Sequence, residues 1–105
     1  FAEFLPAFQA DPETDAVLII GELGGTMEEE VAQAMHDGVY TKPLVAFIGG
    51  RTAPEGKKMG HAGAIVSGGT GSVADKAAAL EAAGALVADR PSAVGELLKR
   101  VVPAR

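Results

Sequence analysis

The sequence has no cysteine and only two histidines, His36 and His61. Without thiols there are no disulfides and no thiolate nucleophile, a composition that fits an intracellular setting, with the cytoplasm as the expected location. Two histidines without ligand-like spacing give no basis for a zinc site built by this chain, so no metal site is expected. Aromatic residues make up 5% of the chain, and none falls in its glycine-rich turns, which argues against a flavin needing an aromatic face to stack on. No apolar run approaches the ~20 residues that a membrane-spanning helix requires. The opening stretch FAEFLPAFQADPE has neither the basic start nor the long apolar core of a secretory signal. Nor is there an excess of basic residues: the net charge of −5 gives no reason to expect nucleic acid or an anionic membrane as partner.

What is present is an alternation of short apolar runs and helix-period segments. Phe1, Phe4, Leu5 and Phe8 share one helical face, and Asp11-Pro12 ends that helix. Ala16–Gly21 is a short apolar, β-branched run, read as a strand buried on both faces. Thr26 followed by Glu29 has the spacing of a capping box. It opens a helix whose face carries Met27, Val31 and Met35, with both methionines expected in the core and Gly38 as the stop. Pro43 introduces a second buried strand, Leu44 to Ile48. Residues 51–60 are polar and aperiodic. Ala62 to Ser67 reads as a short third strand, Ser72 as the cap of an alanine-rich helix ending at Gly84, and Ala85 to Asp89 as a fourth strand. Ser92 is placed as the cap of a last helix with Val94, Leu97, Leu98, Val101 and Val102 on one side.

The order α-β-α-β-loop-β-α-β-α predicts one α/β domain over residues 1–105, a parallel sheet with helices on both faces. A parallel α/β domain ordinarily begins with a strand, whereas this chain begins with a helix. A first strand is therefore expected to be missing, which would make the chain a fragment of a longer one. Ligands in such sheets gather beyond the carboxyl ends of the strands, so the Gly21–Thr26, Gly49–Gly60 and Gly68–Ser72 stretches are expected to meet.

His61 lies beside that edge, in KKMGHAGAIVSGGTGS. Gly60, Ala62 and Gly63 leave the imidazole accessible. Imidazole is a competent nucleophile near neutral pH, and a carboxylate on one ring nitrogen would fix its tautomer. Glu22, at the end of the first strand, is the candidate for that carboxylate, and Lys57 and Lys58 could offset phosphate charge. The same residues also have structural explanations: a histidine in a glycine-rich loop is commonly a surface residue, Glu22 could simply favour a helix N-terminus, and Lys57-Lys58 could be a solvated pair. His36, late in its helix, suits the dipole there and is assigned no chemistry.

Taken together, GELGGTMEEE, TKPLVAFIGGRTAPEGKKMGHAGAIVSGGTGS and DKAAALEAAGA resemble the C-terminal, phosphohistidine domain of the α subunit of succinyl-CoA synthetase (succinate–CoA ligase), in the NDP-forming acid–CoA ligase superfamily. The resemblance implies a flavodoxin-like α/β/α fold with parallel strand order 2-1-3-4-5, the absent strand being an interior one. It implies a domain of a ligase that joins a carboxylic acid to CoA while ATP or GTP is cleaved to NDP and phosphate. In that family a histidine carries the phosphoryl group and a carboxylate orients it; these map onto His61 and Glu22. Nucleotide and Mg²⁺ belong to an ATP-grasp β subunit and CoA mainly to the α subunit's N-terminal domain. Those two bodies are the implied partners, and no cofactor is expected on this chain itself. One departure is an extra residue near Asp37 to Tyr40, between the carboxylate and the histidine. Malate–CoA ligase, ADP-forming acetate–CoA ligase and ATP-citrate lyase share the histidine loop, so the resemblance does not select the acid or the purine. A subunit-association or regulatory module of the same fold, without turnover, is the alternative.

Overall fold

The computed structural model describes residues 1–50 and 73–102. A single 3-10 turn, Ala2–Phe4, leads into α1 (Leu5–Ala10); β1 (Val17–Glu22), α2 (Met27–His36) and β2 (Leu44–Gly49) follow. After residue 72 come α3 (Val73–Ala82), β3 (Leu86–Ala88), a 3-10 turn at Pro91–Ala93 and α4 (Val94–Val101). The described strands form one parallel sheet in the order β1-β2-β3. This is the α/β architecture expected from the alternation of elements.

Register puts Val17 beside Leu44, Ile19 beside Ala46, and Ala46 beside Val87. Because side chains alternate along a strand, these residues share one face, and it is the face on which the core forms. Ile19, Leu44, Ala46 and Ile48 pack there with Val31, Val73 and Leu80 from α2 and α3. The opposite face carries Leu18, Ile20, Val45, Phe47 and Leu86. α4 packs against β2 and β3 and brings Leu98 and Val102 near Leu18. Val45 is fully buried, whereas Leu18 and Ile20 are 37% and 64% exposed. Among the described residues β1 is therefore covered less completely on this face than on the core face, contrary to the expectation of burial on both.

Several local expectations are met. Asp11 leaves the helical region at the end of α1, ahead of Pro12. Gly38 has φ +80°, and the Val39 N–H donates to Ala34 O at 2.9 Å. That closes α2 with the left-handed glycine cap that only a residue without Cβ adopts freely. Gly84 (φ +104°) and the bond from Ala85 N–H to Leu80 O repeat the device after α3.

Others are corrected. Of the first helical face only Leu5 is buried, while Phe1, Phe4 and Phe8 remain exposed. Met27 is 51% exposed, so the methionine stripe is not wholly core. Thr26 makes no side-chain cap bond. Glu29 reaches Lys76 instead, and that pairing replaces the capping box. Ser92 does not cap α4 either: its hydroxyl accepts from Arg90 Nε at 3.1 Å, and the helix begins after a 3-10 turn. The expected interior gap is absent, since β1 and β2 are joined directly along six registered positions. The third-strand assignment at Ala62 to Ser67 and the Ser72 cap lie outside the described residues.

One linkage was not foreseen. Lys42, just before β2, donates from Nζ to the carbonyls of Phe8, Asp11 and Thr14 at 2.9, 2.6 and 2.9 Å. It thereby holds the end of α1 and the following turn. Gln9 and Thr41 add two further bonds across the same seam, at 2.8 and 2.9 Å.

Candidate functional site at the carboxyl edge of the sheet

Glu22 is the last residue of β1 and lies in register with Gly49, the last residue of β2. Leu23 N–H donates to Gly49 O at 3.2 Å, so the carboxyl ends of the two strands lie side by side. Gly50 has φ +95°, and a Cβ there would overlap the Leu23 side chain. Both features require glycine. Leu23 itself is 1% exposed and anchors the turn. The Gly21–Thr26 stretch and the start of the Gly49–Gly60 stretch therefore meet as expected. Residues 51–60 and 68–72 lie outside the described residues.

The turn after β1 passes through Gly24 (φ +88°) and Gly25 (φ +66°) and enters α2. Three glutamates, Glu28, Glu29 and Glu30, occupy the first turn of that helix, where the dipole favours negative charge. Glu28 is nevertheless only 2% exposed. Its burial is compensated by Lys76 in the first turn of α3, whose side chain is fully buried. Lys76 Nζ donates to Glu28 Oε1 at 2.6 Å, to Glu29 Oε1 at 2.9 Å and to Gly25 O at 3.0 Å. The second oxygen of Glu28 accepts the backbone N–H of Glu22 at 3.3 Å. No described buried side-chain polar atom lacks a partner. Gly21 leaves room for the approach, because a Cβ there would overlap the Glu28 carboxylate and lie 2.8 Å from its Cδ.

Side-chain alternation along β1 turns Glu22 away from the Glu28 side of the sheet, and its residue is half-buried. A carboxylate in that position can orient a neighbouring base or accept a hydrogen bond from an imidazole. His61, Lys57, Lys58, Gly60, Ala62 and Gly63 all lie outside the described residues. His36 is the last residue of α2 and is exposed, at the helix end where its charge suits the dipole. Among the described residues, no group of three or more His, Asp or Glu side chains is arranged to hold a metal ion, and no helix is long and apolar enough to cross a membrane.

The profile of the CoA-ligase family matches residues 1–86. The chain belongs to the CoA-ligase family. Within it, the chain is 69% identical over 101 residues to an ADP-forming sulfoacetate-CoA ligase subunit, SqwL, of an Acholeplasma species; the match covers 96% of this chain and 34% of that protein. It is 68% identical over 102 residues to the corresponding subunit SauD of Bilophila wadsworthia, covering 97% and 35%. With the α subunit of the ADP-forming succinate–CoA ligase of Methanothermobacter thermautotrophicus it shares 56% over 94 residues, covering 90% and 31%. The chain thus spans about a third of the length of these relatives. Among solved structures, a mutant ATP citrate lyase of Methanosaeta concilii in complex with (3S)-citryl-CoA superimposes with a TM-score of 0.84 at 30% identity, over 94% of this chain and 17% of that one.

The Lys76–Glu28–Glu29 cluster escaped the sequence reading altogether. A single lysine in an alanine-rich helix looks like a solvated position. The one available signal was that Lys76 stands in the first turn of a helix, where a cation is unfavourable without a partner.

Proposed function

We propose that this chain is the phosphohistidine-carrying domain of a subunit of an ADP-forming acid–CoA ligase. His61 attacks the terminal phosphorus of ATP, the bond to the β-phosphate oxygen breaks, and ADP leaves. The phosphoryl group passes from the imidazole to the carboxylate of the acid, giving an acyl phosphate. The CoA thiol then attacks the acyl carbon, forming the thioester and releasing phosphate. In this reading Glu22 accepts a hydrogen bond from one ring nitrogen of His61, which fixes the tautomer and frees the other nitrogen for phosphorus. Lys57 and Lys58 offset phosphate charge, and Gly60, Ala62 and Gly63 keep the imidazole accessible. Acid, nucleotide and CoA are bound largely by the CoA-binding domain and the ATP-grasp subunit that complete the enzyme.

The observation that carries the proposal is the position of Glu22. It is the final residue of β1, at the sheet edge where two strands end in register and where ligands of open α/β sheets collect. For the acid, the succinate inferred from resemblance has a competitor. The relatives at 69% and 68% identity are sulfoacetate-CoA ligase subunits, against 56% for the succinate enzyme. Both acids are small dianions activated at a carboxylate, succinate carrying a second carboxylate where sulfoacetate carries a sulfonate, and the identities favour sulfoacetate.

The test is incubation of the full-length subunit and its partner with labelled ATP. Acid-labile, base-stable label is expected on the wild type and absent from His61→Asn; equal label on that variant would refute the carrier role. Supplying either acid with CoA then ranks sulfoacetate against succinate by thioester yield.

A further inference from the structure

The Lys76–Glu28 pair is at the same edge of the sheet as Glu22 but outside the chemistry proposed for it. Lys76 and Glu28 are 0% and 2% exposed. Burying such a pair contributes little net stability compared with apolar residues of the same shape, so its worth is better sought in what it orients. Here the ammonium joins α3 to two parts of the β1–α2 connection: the Gly25 carbonyl in the turn and the carboxylates of Glu28 and Glu29 in the helix. Glu28 spends its remaining oxygen on the Glu22 N–H. Gly21, immediately before Glu22, is the residue whose missing Cβ lets that carboxylate in.

We infer that Lys76 and Glu28 are positioning residues for Glu22. Lys76 orients the Glu28 carboxylate, Glu28 fixes the peptide plane entering Glu22, and the angle at which the Glu22 side chain leaves the strand is set by that plane. The inference rests on the reading in which Glu22 orients the phosphoryl-carrying imidazole. It predicts that damage to the pair is felt only through Glu22.

The test uses the full-length subunit with its partner subunit and measures the single-turnover rate of histidine phosphorylation from labelled ATP, its pH profile, and the KM values for acid and nucleotide. Lys76→Met should slow phosphorylation ~10–100-fold, as loss of a supporting hydrogen-bond partner typically does. The KM values should stay within about twofold, and the pH profile should move toward that of Glu22→Gln. Gly21→Ala retains every charge yet displaces Glu28, and should reproduce the defect if Lys76→Met fails to fold. The deciding measurement is non-additivity. In a Glu22→Gln background, Lys76→Met or Gly21→Ala should have no further effect. If either variant slows the Glu22→Gln enzyme by the same factor as the wild type, or phosphorylates at the wild-type rate in the folded enzyme, the positioning role is overturned. Wild-type phosphorylation by Glu22→Gln alone would instead overturn the role of Glu22 itself, so the two failures are distinguishable.

Discussion

Lys42→Met keeps most of the apolar stem and removes only the charged head, so it isolates what the ammonium contributes. In the structure that head accounts for three hydrogen bonds, to the carbonyls of Phe8, Asp11 and Thr14. Charge-assisted bonds contribute ~1.5–3 kcal/mol each. The three share one half-exposed ammonium, however, and surface carbonyls regain water once it is gone, so a loss of about 2–4 kcal/mol in local stability is expected. That corresponds to roughly 30- to 1000-fold faster amide exchange wherever opening of α1 and its following turn governs protection. Hydrogen exchange on the full-length subunit, read at the amides of Asp11 and Thr14, which donate to Phe8 O and Asp11 O, measures this directly. Gln9→Ala, which breaks the two neutral bonds to Thr41 across the same seam, should accelerate the same amides by a smaller factor. Exchange in Lys42→Met within about threefold of wild type, or no faster than in Gln9→Ala, would refute the assignment of Lys42 as the seam's principal fastener.

Two further outcomes follow from the geometry. Gly50→Ala should destabilise more than Gly38→Ala in urea titrations. Both place a Cβ at positive φ, roughly 1–2 kcal/mol, but only Gly50 also meets Leu23; equal losses would mean that Leu23 moves aside freely. Burial pushes the Tyr40 phenol up to about 12, partly offset by a hydrogen bond from the Val17 backbone. The folded state therefore holds the neutral phenol after the unfolded chain has begun to ionise. That stabilisation is complete below pH 10 and is lost as pH rises from 10 towards 12, so the wild-type-minus-Tyr40→Phe stability difference should fall across that window. A difference that stays flat would argue against the burial effect.

The strands were legible because short β-branched runs between glycines leave little choice: Leu44 was placed as the first residue of its strand, and Glu22 stands one residue beyond the expected end of β1. The glycine stops at Gly38 and Gly84 were legible for the same local reason. The failures share a cause. Thr26 and Glu29 matched a cap in spacing, but a lysine 47 residues further along the chain from Glu29 competes for that carboxylate and wins. The apolar run around Ile20 reads as a buried strand, while burial depends on whether a neighbour lies over it. Lys42 and Lys76, the two cations that fasten elements together, were invisible because charge in a sequence says nothing about distance in space. Of the proposed site, Glu22 was placed correctly at the strand end; His61 and its neighbours lie outside the described residues.

The exposed flank of β1 also has a practical side. Ile20 stands out beside Leu18 on a strand that, among the described residues, bonds to β2 alone. A parallel strand with one wall thinly covered and, among the described residues, one rim unpaired is a template for adhesion between copies. Preparations of these 105 residues by themselves would accordingly tend to cling to one another through that rim.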